Sequence, residues 1–367
     1  MKVCGIIVEY NPFHNGHIYH LQQAREISNC DLLVAVMSPH FVQRGEPAIC
    51  DKWSRARAAL RYGADLVIEL PTLHAVQSAS YFARAGVELL ALANVDTIVF
   101  GSESSDHAHL QRLAEQLSAI TLKEKTISSV RQYEKKLGTQ APNDILGINY
   151  IQAAQKHHIQ TRCIQRTNDY HDTQIHSPIA SASAIRHQFF NGKDVSPYTI
   201  MSDDLNVNAR LETLYPYLQT KLLIDDPKRM KEYFLMDEGI ESLLIAAAAS
   251  CDTMEAFLMH CTNARYTRAR IQRTLIHYLL ETRKTEANQH AIPAHLRILA
   301  FRSSARAWLR MLRDEGKPVV SRFQELPLFY QKMERKAAAL YTFGNPSLRR
   351  AFLAKEVEGP YYDDCAY

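Results

Sequence analysis

The chain has 367 residues, more than one ordinary domain of roughly 100–200 residues requires, so two domains with sizeable cores are expected. Hydrophobic residues make up 46% and charged residues 22%, which excludes a disordered chain, a collagen-like repeat and a disulfide-dense miniprotein. The 43 Lys and Arg against 39 Asp and Glu leave a formal charge of +4, too mild to establish a nucleic-acid role but compatible with a local basic patch.

In chain order, Val3–Val8, Leu32–Met37, Leu66–Leu70 and Thr97–Phe100 are short apolar runs bounded by polar or turn residues, and each predicts a buried strand. Between them Ile18–Ile27, Lys52–Tyr62 and Ser78–Leu92 carry helical spacing. This alternation predicts an α/β fold, a parallel sheet with helices on both faces, whose ligand site lies beyond the carboxyl ends of the strands. Asp106–Leu137 reads as helix and Gln140–Pro142 breaks it. Asn143 opens another helix, Ile145–His157, followed by a strand at Thr161–Arg166 and a polar loop at Tyr170–Ser183. Ala184–Phe190 is a short helix closed by Asn191-Gly192. The alternation ends near Val195–Asp203. Beyond it Ile240–Ala249, Thr253–Cys261, Tyr266–Thr282, Pro293–Arg313 and Pro327–Leu340 predict an all-α region. The expected division is therefore 1–196 and 197–367.

The seven cysteines are scattered, odd in number and without a C-x-x-C pair, which predicts reduced thiols in a cytoplasmic protein, with neither a zinc site nor a disulfide framework. No signal-peptide pattern opens the chain, and Leu243–Ala249 is too short to span a bilayer, so no membrane association is expected.

The most informative stretch is Glu9-Tyr10-Asn11-Pro12-Phe13-His14-Asn15-Gly16-His17, between the first strand and its helix. A helix amino terminus offers unpaired N–H groups and a positive dipole end, and Gly16 permits close backbone approach to a phosphate. His14 and His17 lie three apart, so both imidazoles can face one side and donate to phosphate oxygens that gain charge. No Walker A sequence is present and no G-x-G-x-x-G follows a strand.

This loop resembles the H-x-G-H signature of class I aminoacyl-tRNA synthetases and small nucleotidyltransferases. More narrowly, VEYNPFHNGHIYHL, FVQRGEPAICDKWSRARAAL, GADLVIELP, FGSES, PNDILGINYI and IASASAIR resemble, in order, the bacterial tRNA(Met) cytidine acetate ligase family; ARYTRARIQR continues the likeness more weakly. Ser38-Pro39-His40 departs from it, where members typically carry Ser-Gly-Asn. The resemblance implies a Rossmann-like nucleotidyltransferase joined to an α-helical tRNA-binding domain. It also implies activation of acetate with ATP, commonly with Mg²⁺, and acetyl transfer to the wobble cytidine of elongator tRNA(Met). No residue is assigned as a metal ligand.

By the same resemblance His14 and His17 are the catalytic pair. ATP contacts fall on Ile7, Val8, Glu9, Tyr10, Asn11, Pro12, Phe13, His14, Asn15, Gly16, His17, His20, Gly101, Asn143, Arg166 and Thr167. Ser181 and Ser183, with Arg186 one turn on, resemble the superfamily's second phosphate signature, while Ser181 alone reads equally as a helix cap. Gln43 and Arg44 lie where a carboxylate or phosphate pocket is expected. Lys52, Arg55 and Arg57 read either as partners for phosphate or RNA or as a solvated basic face. Arg265, Arg268, Arg270 and Arg273, with Tyr266 and Gln272 between them, predict a basic stripe for tRNA. Two alternatives stay open: an adenylyltransferase for another small acid or phosphate, and an RNA-binding protein without turnover.

Overall fold

In a computed structural model of the chain, residues 1–119, 129–166 and 180–364 are described. Five parallel strands form the centre: β1 (Val3–Val8), β2 (Leu32–Met37), β3 (Leu66–Glu69), β4 (Thr97–Ser102) and β5 (Gln160–Gln165), in the spatial order 5-4-1-2-3. The strand order reverses between β1 and β4, so the loops leaving these strands diverge and open a crevice at their carboxyl ends.

Alternation along the strands splits the core into two layers. Val3, Val34, Val36, Leu66, Ile68 and Ile98 pack on one face, against the Ala79–Leu92 and Pro142–Gln155 helices. Cys4, Ile6, Val8, Leu33, Ala35 and Val67 pack on the other, against the Asn15–Ser28 and Lys52–Arg61 helices. The expected Rossmann-like sheet, covered on both faces, is therefore present.

The expectation of an all-α region beyond residue 197 needs correction. The helices from Leu211–Ile224 to Lys284–Gln289 have their own apolar core, including Leu218, Leu244, Phe257 and Ile271. Pro293–Arg313, however, is not one helix. Its first half is strand β6 (Leu296–Arg302), antiparallel to β3, and β7 (Val319–Val320) and β8 (Tyr361–Asp363) pair with β6. Leu296 and Ile298 bury in the sheet core, and the Arg306–Asp314 helix places Trp308, Leu309 and Leu312 there too. The run LRILAFR extends an edge that β3 would otherwise leave unpaired, so tertiary pairing overrides a weak local helix signal.

The expected helix Asp106–Leu137 is seen as His107–Ala119 and Ser129–Leu137, with residues 120–128 outside the described set. Most of the polar loop at Tyr170–Ser183 also lies outside it, as does Cys365.

The returning segment is tied to the sheet by a buried ion cluster. Lys52 Nζ lies 2.6 Å from both Glu69 Oε1 and Glu356 Oε1, and Arg297 Nη1 lies 2.6 Å from Glu69 Oε2 and Glu356 Oε1. Glu69, Glu334 and Glu356 approach one another closely enough to resemble a metal site, but the ammonium and guanidinium already supply the countercharge. Lys52 is thus a structural tether, neither a phosphate partner nor a solvated charge.

Candidate active site

The crevice holds a cavity of about 500 Å³ whose wall is formed by the ends of β1, β4 and β5, the loop after β2, and two helix starts, at Ser181 and Thr267. This volume falls in the range of small-ligand sites. Of the expected ATP residues, Ile7, Val8, Glu9, Tyr10, Asn11, His14, Gly16, His17, His20, Gly101, Asn143, Arg166, Ser181 and Ser183 line it, as do Gln43 and Arg44. Pro12, Phe13 and Asn15 do not. Phe13 packs in the sheet core behind the loop, and the Asn15 amide donates to Pro197 O at 3.3 Å. Thr167 lies outside the described residues.

His14 is the amino-terminal cap of the Asn15–Ser28 helix. Its Nδ1 accepts from Gly16 N at 3.1 Å, and His17 Nδ1 accepts from His14 N at 3.2 Å. A backbone N–H can only donate, so each Nδ1 is unprotonated and each neutral ring carries its hydrogen on Nε2. The ring centroids are 3.8 Å apart. Tyr10 sets its ring edge-on to His17 at 4.8 Å. Burial, with Arg166 and Arg186 nearby, pushes the His14 imidazole down to about 3. Burial and the neighbouring imidazoles hold His17 well below its ordinary range, and burial takes His20 to about 4. The pair is therefore neutral at physiological pH, and its two Nε2–H groups can donate to an anion without a proton changing hands.

The surrounding loops are held from behind. Arg55, fully buried, donates to Glu9 O at 2.6 Å, Ser38 O at 2.9 Å and Cys50 O at 3.0 Å, and also to Pro39 O. It clamps the loops after β1 and β2 together, which replaces both earlier readings of this residue. Arg57 stays on its own helix, donating to Ser54 Oγ at 3.0 Å. Asn11 Oδ1 accepts from Ile49 N at 2.7 Å, and Arg186 Nη1 reaches Asn11 O at 2.7 Å. The carboxylate of Glu9 accepts from Gln43 N at 2.7 Å, and burial raises its proton affinity against the pull of Arg186, Arg44 and Arg55.

On the β4 side, a Cβ at Gly101 would lie 3.2 Å from Arg166 Cγ, so glycine keeps that wall open. Asn143 is oriented by Glu103, whose Oε1 accepts from its amide at 2.6 Å. Asp144 lies next to Asn143, three residues past the Ala141 cap position. It is buried in the first turn and binds Ser102 Oγ and the amides of Glu103 and Ser104, fixing the loop that leaves β4. Ser181 does cap its helix, accepting from Ala184 N at 3.0 Å, while it and Ser183 also face the cavity.

His40 does not line the cavity. It is buried against Tyr341, Trp53 and Phe352, so the departure at Ser38-Pro39-His40 belongs to the packing of the carboxyl-terminal helices and not to the pocket wall.

The expected basic stripe is divided. Arg265 precedes the Arg268–Leu279 helix and meets Glu238 at 3.1 Å, while Arg268 pairs with both oxygens of Glu255 at 2.8 and 2.5 Å. Arg270 packs over the Tyr266 ring, and Arg273 turns into the cavity. Sequence reasoning grouped the four by spacing. It missed that the second helix turn faces the loop after β2, a fact set by Gly45, at φ +78°, packing on the backbone of Arg273.

The comparisons agree with this geometry. The model of the HIGH Nucleotidyl Transferase family matches residues 1–355. The tRNA(Met) cytidine acetate ligase of Limosilactobacillus reuteri is 38% identical, over 94% of this chain and 97% of the relative. That of Staphylococcus aureus strain MRSA252 is 33% identical, over 93% and 95%. The crystal structure of apo Thermotoga maritima TmcAL superposes with a TM-score of 0.87 at 30% identity, covering all of both chains. A second crystal form of that protein, bound with alpha-thio ATP, gives 0.82 at 29% identity, again over all of both chains. A sheet that reverses order at a capped histidine pair, matched over its whole length by these relatives, places the chain in the HIGH nucleotidyltransferase family, among the tRNA(Met) cytidine acetate ligases.

Proposed function

We propose that the chain is an ATP-dependent ligase that activates acetate as acetyl-adenylate and transfers the acetyl group to the wobble cytidine of elongator tRNA(Met), giving N4-acetylcytidine. The observation that carries this reading is the pair of neutral imidazoles, each locked through Nδ1 to backbone and so left with Nε2–H as its free donor, lining one cavity at a helix amino terminus.

In the first step a carboxylate oxygen of acetate attacks the α-phosphorus, the bond from that phosphorus to the bridging oxygen breaks, and pyrophosphate leaves. Charge builds on the non-bridging oxygens, where His14 and His17 donate more strongly than in the ground state. Arg166 and Arg186 offset the triphosphate charge, and the Ser181–Ser183 helix start receives the β- and γ-phosphates. Gly101 and Asn143 border the nucleoside, with Thr167 carried over by resemblance. In the second step the cytidine amine attacks the acyl carbon, loses a proton, and AMP departs.

The cavity offers no carboxylate set for a metal among the described residues, since Glu9 is engaged by Gln43 N and Glu46 by the Gln272 amide. In this reading Mg²⁺ would arrive with ATP, as part of the substrate, and neutralise phosphate charge. Arg265, Arg268 and Arg270, on the helical side of the molecule, meet tRNA. No helix among the described residues is long and apolar enough to cross a membrane; the proposed tRNA substrate is what points to action in the cytoplasm.

The test is ATP–pyrophosphate exchange without tRNA. Exchange that depends on acetate is expected. Exchange indifferent to acetate would favour an adenylyltransferase for another acid, and tRNA binding without any exchange would favour the RNA-binding alternative.

A further inference from the structure

Arg273 stands apart from the other cations of the cavity. It lies one turn beyond Ala269 on the Arg268–Leu279 helix, and with Thr267 and Ala269 it brings the carboxyl-terminal region into the cavity wall. No hydrogen bond or ion pair engages its guanidinium among the described residues. Its position is fixed by the backbone. A Cβ at Gly45 would come within 2.5 Å of Arg273 N, and the preceding Gln272 donates to Glu46 Oε1 at 3.0 Å. The loop carrying Gln43 and Arg44 is thus seated directly on the turn that carries Arg273.

The cavity cations form two groups. Arg166 and Arg186 stand by the histidines, where they disfavour the charged form of His14, and Arg186 is bonded to Asn11 O. Arg44 stands by Arg273 instead; burial, then the like charges of Arg270, outside the cavity wall, and Arg44 push its guanidinium down to about 10. A partly buried cation without a carboxylate partner is costly unless an anion arrives to meet it. The reaction brings two anions to this cavity, a triphosphate and a carboxylate, and the histidine-side group already faces the first.

We infer that Arg273, together with Arg44 on the loop packed against it, binds the carboxylate of the small acid and positions it for attack on the α-phosphorus. The assignment rests on the acetate ligase reading above and deepens it. A planar guanidinium suits this task because it can grip both carboxylate oxygens. It also explains why a helix from the carboxyl-terminal half is pinned to the loop after β2, since the substrate acid would otherwise have only one side to its pocket.

The experiment compares wild type, Arg273→Gln and Arg273→Lys in three assays: acetate-dependent exchange, binding of ATP alone, and binding of unmodified tRNA. Loss of one charge-assisted contact predicts a KM for acetate raised about 10- to 100-fold in Arg273→Gln. Arg273→Lys should be intermediate, and ATP and tRNA affinities should stay within about twofold of wild type. Chemically prepared acetyl-adenylate supplied with tRNA should restore acetylation by Arg273→Gln to near the wild-type rate, a rescue that a merely distorted helix would not allow. An unchanged acetate KM overturns the assignment. So does a loss of ATP affinity, which would place Arg273 on the triphosphate, or a loss of tRNA affinity, which would place it on the RNA backbone. If wild type itself shows no acetate-dependent exchange, the parent reading fails and this assignment fails with it.

Discussion

His14 has two duties in this structure, and they can be separated by substitution. Its Nδ1 caps the Asn15–Ser28 helix through Gly16 N, while the residue lines the cavity with Nε2–H left to donate. Replacing a capping group by alanine typically costs about 1 kcal/mol of stability. Removing one donor to an oxyanion that develops in the transition state costs about 10²–10³ in rate, or roughly 3–4 kcal/mol. His14→Ala should therefore lose both. Asparagine is a good cap whose short side chain keeps an acceptor for Gly16 N but does not reach as far into the cavity. His14→Asn should thus unfold in urea at nearly the wild-type midpoint and still exchange ATP and pyrophosphate about 10²–10³ more slowly at saturating ATP and acetate. If His14→Asn exchanges at the wild-type rate, the imidazole is a cap alone and the role given to its Nε2–H is wrong.

Four further outcomes are expected. His14 and His20 titrate near 6.5 when unfolded but near 3 and 4 when folded, so below pH 6.5 the unfolded chain binds more protons and stability falls with falling pH. Urea midpoints at pH 7.5 and pH 5 should show that loss, and equal midpoints would contradict buried neutral rings. Lys52→Met leaves the Glu69 and Glu356 carboxylates short of countercharge and should cost about 3–5 kcal/mol, measured by denaturant unfolding; a cost below 1 kcal/mol would mean the cluster tethers nothing. Gly45→Ala combines positive φ with a backbone clash against Arg273 and should lower both stability and acetate-dependent exchange; unchanged exchange would show that this packing does not shape the pocket. Glu255→Gln frees Arg268 from its ion pair and should steepen the salt dependence of tRNA binding by up to about 0.7–0.9 in the log–log slope; an unmoved slope would mean Arg268 does not face RNA.

The parts of this account legible in the sequence are those that local pattern encodes. Runs such as Leu32–Met37 are apolar because both faces of the strand are covered, and the His14–His17 loop announces itself by lying between a buried strand and a helix. Strand β6 was hidden because LRILAFR runs on into residues with helical spacing, and only its pairing with β3 selects the extended form. The charged residues were the least legible. Lys52, Arg55 and Arg273 share with solvated arginines and lysines every property that a sequence displays, and their burial depends on partners that are distant in the chain, such as Glu356 and Gly45. Arg268 and Arg273 sit five residues apart on one helix, yet one meets Glu255 near solvent and the other enters the cavity. That division arises where the helix meets the β2 loop, not in the spacing of its arginines.

The central claim is that this chain joins acetate to tRNA at the expense of ATP, and one measurement tests it most directly. Purified protein, ATP, isotopically labelled acetate and an unmodified mixture of tRNAs are incubated together, and the nucleosides of each isolated tRNA are then analysed. Labelled N4-acetylcytidine confined to the wobble position of elongator tRNA(Met), with AMP and pyrophosphate formed in equal amounts, is the predicted result. Labelled acetate left entirely outside the tRNA while ATP is cleaved would contradict it.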